Sequence, residues 1–344
     1  MPNPTGYQRN INRGLDRSLR EAPVFPMDIR TMRLMIFSDH HKGTWDDADD
    51  FRPSQSSYRA ALEHYLESGH ILAVLGDVEE LWEDPPAPIL ACYASILQKE
   101  NQFHMQNRYW RFWGNHDDEW RHPSQVRKYL GEFFGELVVY ESLRLDVYDA
   151  EIKLGEILLV HGHQGSLAGD RFSWFTRFVI RYAWRPIQRL LRIMPNTPAT
   201  DWRLRHKHDI AMYNWAADKE KLVLIAGHTH NPIFPSPSRL ARLMEDYQSV
   251  KDLSVDTDEI LETRANLEYA QLEEKPSYFN SGCCCFSDGR ITGIEIVDGQ
   301  IRLIRWPDDI GQQVPQILDS ADLGEVFRQV AFRAAPMEIL DEYK

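Results

Sequence analysis

The chain is poor in cysteine, with four in 344 residues, and three of these are consecutive: Cys92 stands alone, and Cys283, Cys284 and Cys285 form a run. Neighbouring cysteines make a poor disulfide framework, and no C-x-x-C spacing occurs. A disulfide-stapled scaffold and a thioredoxin-type motif are therefore excluded, and a reducing compartment is the simpler expectation. No apolar run reaches the roughly 18 residues that would suggest a membrane span. The opening stretch MPNPTGYQRNINRGLDRSLREAPVF lacks the apolar core, about 7–15 residues, of a secretory signal. Residues 1–30 read instead as a polar, flexible lead-in. Positive charge is outnumbered, with 39 Lys and Arg against 52 Asp and Glu. A formal net charge of −13 argues against general nucleic-acid binding. Internal repeats and low-complexity tracts are absent. What is present is a 43% hydrophobic fraction, enough to fill one large core in a cytoplasmic protein.

Short apolar runs recur, and each ends in a polar cluster. Arg33–Phe37 leads into Ser38-Asp39-His40-His41, Ile71–Leu75 into Gly76-Asp77, and Tyr109–Trp113 into Gly114-Asn115-His116-Asp117. Ile157–Val160 leads into His161-Gly162-His163, and Leu222–Ala226 into Gly227-His228-Thr229-His230. Helical patterns lie between them at 57–66, 88–103 and 124–134. Strands alternating with helices predict an α/β architecture. Further strands are expected at 136–140 and 143–148, and a β-rich end contains a hairpin at Asp298-Gly299, so the sheets are mixed. In such folds chemistry collects beyond the carboxyl ends of strands.

A single histidine after a strand is ordinarily a loop residue. Here five strand ends together offer Asp39, His41, Asp77, Asn115, His161, His228 and His230. These nitrogen and oxygen donors suit two borderline divalent metals, with Mn ahead of Fe and Zn, rather than a thiolate site. Two divalent ions outweigh the charge of Asp39, Asp77 and a bridging hydroxide, which leaves a positive centre for a phosphate oxyanion. Holding such ions about 3.5–4 Å apart requires a carboxylate between them, and Asp77 is the natural bridge.

This ordered set resembles the calcineurin-like metallophosphoesterase superfamily, whose pattern runs D-x-H, G-D-x-x-D, G-N-H-D/E, a lone His and G-H-x-H. The resemblance covers roughly residues 32–306. It implies a four-layer αββα sandwich of two mixed sheets with a helical cap insertion, and attack on phosphorus by a metal-bridging hydroxide. It further implies that Asp39, His41 and His230 hold one metal, that Asn115, His161 and His228 hold the other, and that Asp77 bridges them. His116 would be the proton donor to the leaving group, oriented by Glu80, which stands where the family usually has Asp. Asn280 is expected to orient the loop of His228 and His230. Cys283–Cys285 read as core packing in a strand, because no basic residue neighbours them in sequence.

The stretch Gly76-Asp77-Val78-Glu79-Glu80-Leu81-Trp82 is similar to that of the UDP-2,3-diacylglucosamine pyrophosphatase branch, which cleaves a lipid-linked pyrophosphate. A basic insertion at 166–216, with Arg177, Arg181 and Arg185 at helical spacing, reads as that branch's cap. With His163, those arginines are the expected substrate contacts, and the cap's apolar face could rest on the inner membrane surface as a peripheral contact. The chain departs from the branch by carrying His116 in place of an Arg and His163 in place of an Asp, and by an acidic helical insertion at 235–276. A soluble phosphodiesterase, nuclease or phosphatase acting on nucleotides is the alternative. A non-catalytic metal-binding scaffold is a third reading, disfavoured by the full ligand set. Either insertion could also make contacts in a homo-oligomer.

Overall fold

The computed structural model describes residues 5–165, 201–252 and 257–337. Two mixed sheets form the centre. The first runs in the order β12 (Gln316–Asp322), β11 (Gln300–Trp306), β10 (Ile291–Val297), β2 (Leu34–Phe37), β3 (Ile71–Leu75), β4 (Tyr109–Phe112) and β5 (Val139–Tyr140). The second runs β1 (Val24–Asp28), β6 (Ser142–Asp149), β7 (Ile152–Val160), β8 (Leu222–Ala226) and β9 (Tyr278–Asn280). Strands β2 to β5 are parallel, as are β7 to β9, while β10 joins β2 antiparallel.

The central strands β2, β3, β4, β8 and β10 are buried on both faces, and alternation along each one divides its side chains between two cores. Leu34, Ile36, Ala73 and Leu75 face Leu145, Ile157, Val223 and Ile225 of the other sheet across the middle of the sandwich. Met35, Phe37, Leu72 and Val74 point the opposite way, onto α2 (Gln55–Glu67), α3 (Pro86–Cys92) and α4 (Ala94–His104). On the far side Leu158, Val160, Leu222 and Leu224 pack against α1 (Gly6–Glu21) and α5 (Trp202–Ala217). This is the four-layer αββα sandwich, with α6 (Pro237–Asp252), α7 (Thr257–Leu272) and α8 (Leu323–Gln329) added late in the chain.

Three expectations need correction. The lead-in over 1–30 is not a flexible stretch where it is described. Thr5 caps α1 by accepting from the Gln8 N–H, and Tyr7, Ile11, Leu15 and Leu19 form a narrow apolar stripe at four-residue spacing that docks on the second sheet. β1 then pairs in parallel with β6. The cap boundary at 216 also extends too far. Residues 202–217 form a helix of the body, with Ile210, Met212, Tyr213 and Trp215 buried beneath the second sheet, while residues 166–200, including Arg177, Arg181 and Arg185, lie outside the described residues. Finally, Cys283–Cys285 lie in an irregular loop between β9 and β10, not in a strand.

The acidic segment 235–276 supplies α6 and α7. Acidic side chains of α7 face the basic α5: Asp258 pairs with Arg203 at 2.7 Å, and Glu262 pairs with Arg205. Because Leu15 is fully buried on the sheet, Leu15→Ala should lower unfolding stability by about 2–5 kcal/mol, read from the midpoint of a denaturant titration.

Candidate metal centre

β2, β3 and β4 are in register at their carboxyl ends, with Phe37 beside Val74 and Leu75 beside Phe112. Asp39, Asp77 and Asn115 therefore emerge on one edge of the first sheet, and His161 and His228 follow the ends of β7 and β8 in the second. The loops zip together through their backbones. Asp39 N–H donates to Gly76 O, His41 N–H to Asp77 O, Lys42 N–H to Val78 O, and Glu80 N–H back to Lys42 O. Two glycines permit this closeness. A Cβ on Gly114 would collide with the Asp77 carboxylate, and one on Gly227 with Ser38 Oγ and Asp39 Oδ2.

The side chains form a continuous row. Asn115 Oδ1 lies 3.2 Å from His161 Nε2, which lies 3.1 Å from Asp77 Oδ2. Asp77 Oδ2 is 3.9 Å from His41 Nε2, His41 Nε2 is 3.2 Å from His230 Nε2, and His230 Nε2 is 3.3 Å from Asp39 Oδ1. His228 joins Asp77 and His161 in one group of mutually close donors, Asp39, His41 and His230 form a second, and Asp77 also shares a group with His41 and His116. All seven expected residues are brought to one place. Five of them, Asp39, His41, Asp77, His228 and His230, have positive φ. Non-glycine residues adopt that region at a cost of about 1–3 kcal/mol each, and such strain clusters where function holds it.

The donor chemistry fits divalent cations. His161 Nδ1 lies 2.7 Å from the Leu75 carbonyl, which can only accept, so Nδ1 carries the proton and a neutral ring presents the Nε2 lone pair to two oxygens. That arrangement needs a positive charge between the atoms, either a proton or a metal. Burial opposes charge on His161, but the Asp77 and Asp39 carboxylates override it and raise its pKa to about 9. The same holds for His41, which burial would lower but Glu80 and Asp77 raise to about 9. Asp39 Oδ1 and His228 Nε2 are buried with no hydrogen-bond partner. Nδ1 of His41 is held by Glu80 at 2.8 Å, as outer partners of metal-binding imidazoles usually are.

His116 sits beside this row. Its Nδ1 is 2.8 and 2.9 Å from the two Glu80 oxygens, and its ring stacks on Trp82 at 4.0 Å, with 19° between the planes. The Trp82 indole N–H donates to the Asn115 carbonyl at 2.7 Å. Glu80 is held down to about 2: burial would raise it, but His116 and His41 outweigh that. His163 is buried behind His161, against Trp113, and burial together with His161 pushes it down to about 3.

Asp117 and Asp209 were given no role from sequence, whereas Asn280 was expected to orient the loop of His228 and His230. Asp117 accepts from the Gly114 N–H at 2.6 Å and the Val78 N–H at 2.8 Å, tying two loops together, and its place in the G-N-H-D block was the available signal. Asp209 accepts from Thr229 Oγ1 and Tyr278 OH at 3.0 Å each and from Asn231 Nδ2 at 3.3 Å, clamping the loop of His228 and His230. Nothing in sequence marked Asp209, because α5 read as part of an insertion. Asn280 donates to the Gly227 carbonyl at 2.7 Å.

No curated protein matches the chain. A model of the calcineurin-like phosphoesterase family matches residues 32–232, which take in more than half of the chain and all five strand-end loops. The chain belongs to the calcineurin-like phosphoesterase family, and it is a metal-dependent phosphoester hydrolase.

Proposed function

We propose that two divalent ions, Mn before Fe or Zn, are held by Asp39, His41 and His230 on one side and by Asn115, His161 and His228 on the other, with Asp77 between. The observation that carries this reading is the unbroken row from Asn115 to Asp39, in which Asp77 is close to donors of both groups. When bound, such a pair supplies Lewis-acid charge to phosphoryl oxygens and lowers the pKa of water. His116 donates a proton to the departing oxygen through Nε2. Glu80 at Nδ1 fixes its tautomer and Trp82 fixes the plane of its ring.

Our reading of the substrate is a phosphoester or pyrophosphate on a lipid-linked nucleotide such as UDP-diacylglucosamine. It is supported by the resemblance of residues 76–82 and by the basic composition of residues 166–200, in which Arg177, Arg181 and Arg185 would contact phosphates. His163 would act from within the site wall. Peripheral contact with a membrane surface belongs to this reading. No helix among the described residues is long and apolar enough to cross a membrane. The second reading, a phosphodiesterase acting on nucleotides, is favoured by one feature, the Glu80–His116 pair. A pyrophosphate releases a phosphate whose second pKa is near 6, so it leaves without help, whereas an alkoxide needs a proton.

Three outcomes are expected. Asp77→Asn should lower the Mn2+ content of the purified protein, measured by elemental analysis after dialysis. His116→Ala should retain metal and lose about 10²–10⁴-fold in kcat on an alkyl phosphodiester, and much less on a pyrophosphate. Equal losses on both substrates would remove the proton-donor role. The third outcome concerns pH. His41 and His161, each raised to about 9, hold protons that a metal must displace. Affinity for Mn2+ should therefore rise as pH increases toward about 9 and level off above it. Calorimetry in buffers of different ionisation enthalpy would read the released protons, and a pH-independent affinity would contradict the assignment.

A further inference from the structure

The His230 ring has two sides. Its Nε2 faces Asp39 and His41, while its Nδ1 faces away from that row and lies 3.7 Å from Cys285 Sγ. Cys283 joins them, so that one nitrogen of the His230 ring and the two sulfurs all lie within 4.8 Å of one another. The loop that carries the cysteines is pinned by the Cys284 N–H, which donates to Ser38 O at 3.1 Å and Asp39 O at 3.0 Å. Cys284 turns into the apolar core beside α2, and its neighbours on either side turn toward His230. Cys283 is buried and Cys285 half-buried, which gives the cluster access to solvent.

The donor set is soft, in contrast to the oxygen and nitrogen donors of the adjacent row. A tetrahedral zinc ion with Zn–S of about 2.3 Å and Zn–N of about 2.0–2.1 Å places sulfur and nitrogen about 3.5 Å apart. The observed 3.7 Å separation needs almost no adjustment to reach that value. We propose that Cys283, Cys285 and His230 Nδ1 form a site for a thiophilic divalent cation such as Zn2+ or Cd2+, and that its occupation opposes loading of the neighbouring centre.

The antagonism follows from proton and lone-pair counting. A neutral imidazole has one proton and one lone pair. Binding a soft ion releases the two thiol protons and takes the lone pair at Nδ1, so the ring proton must sit on Nε2, which lies 3.3 Å from Asp39 Oδ1. In that state His230 has no lone pair left for an ion beside Asp39 and His41. While the ring stays neutral, a soft ion at the sulfurs and a hard ion using His230 Nε2 therefore exclude one another.

Cadmium titrated into the metal-stripped full-length protein provides the test, because thiolate-to-metal absorption in the ultraviolet reports sulfur ligation alone and is blind to the row of nitrogen and oxygen donors. The expected result is a band that saturates at about one equivalent. It should be retained in Cys92→Ser and lost in the Cys283→Ser/Cys285→Ser double variant. Mn2+ binding, followed by its paramagnetic resonance signal, should weaken at least tenfold in wild type when one equivalent of Cd2+ is present, and should be insensitive to it in the double variant. Should the double variant fail to fold, Cys285→Ser alone, at the half-buried position, should weaken Cd2+ binding at least tenfold. A band that survives loss of both thiols, or no band in wild type, would overturn the site. An unchanged Mn2+ affinity in the presence of sulfur-bound Cd2+ would overturn the antagonism. A failed Mn2+ centre with an intact cadmium band would count against the dinuclear reading and not against this one.

Discussion

A neutral imidazole nitrogen pointing its lone pair at two oxygens is repulsive, and His161 does so with its proton committed elsewhere, to the Leu75 carbonyl. The contact therefore needs positive charge, supplied by a second proton on the ring or by a cation in the gap. The same demand recurs along the row, where Asp39 Oδ1 is buried with no hydrogen bond and His41 and His230 bring two Nε2 atoms to 3.2 Å. A surface cluster could relieve such contacts by side-chain rotation or by water. Here Asp39, His41 and His161 are buried, and Asp39, His41 and His230 are fixed at positive φ, so the relief must come from added positive charge. Protons can provide it in part, which is why His41 and His161 hold theirs to about pH 9. Divalent ions provide more charge at each point, and a family defined by metal-dependent phosphoester hydrolysis is the setting in which the geometry makes sense.

Keeping loops in so unfavourable an arrangement requires a rigid support, and the support is itself charged. Beneath the loops at 39–42 and 76–80, Lys42 pairs with Glu100 at 3.0 Å and Arg111 pairs with Glu79, all four fully buried. Tyr58 and Tyr109 donate to the Glu100 carboxylate, and Trp120 donates to Glu79 Oε2. Buried ion pairs add little net stability over an apolar packing, but removing one partner strands a charge and costs several kcal/mol, about 3–5. Such a network resists partial rearrangement more than it deepens the native well. That property suits a base beneath strained ligand loops, because Lys42 and Glu79 each adjoin a residue of the row or its supporting shell.

The site was more legible in the sequence than the body around it. Apolar runs ending in Asp, Asn or His survive any change in surrounding topology, because strand and ligand are a few residues apart. Five such ends in order carried the resemblance that implied both the sandwich and its reactive edge. Longer-range relations left weaker marks. α1 shows only a four-residue apolar stripe in a basic helix, so its docking depends on a sheet surface that no local pattern announces. Asp209 and His208 sit in a helix that follows a basic stretch, and their roles exist only because the fold returns that helix beneath the loops at 161–163 and 228–231. The cysteine run failed for the same reason. A search for a basic neighbour in sequence finds none, while His230 lies 55 positions away and in contact.

Glu80 shows how one substitution of length alters the logic of such a site. Its carboxylate reaches His41 at 2.8 Å and His116 at 2.8 and 2.9 Å at once, so one group orients both a proposed ligand and the proposed proton donor. The resemblance puts an Asp at this position, one methylene shorter. With the backbone fixed by the Glu80 N–H bond to Lys42 O, the extra reach of Glu lets the carboxylate lie between the two imidazoles. Those rings meet edge to face at 4.7 Å, and Trp82 covers the other face of His116. The proposed proton donor and the proposed ligands are therefore not separate modules. Any change in charge at His41 is felt at His116 through a carboxylate they share, so in the proposed mechanism readiness for proton transfer depends on occupation of the neighbouring site.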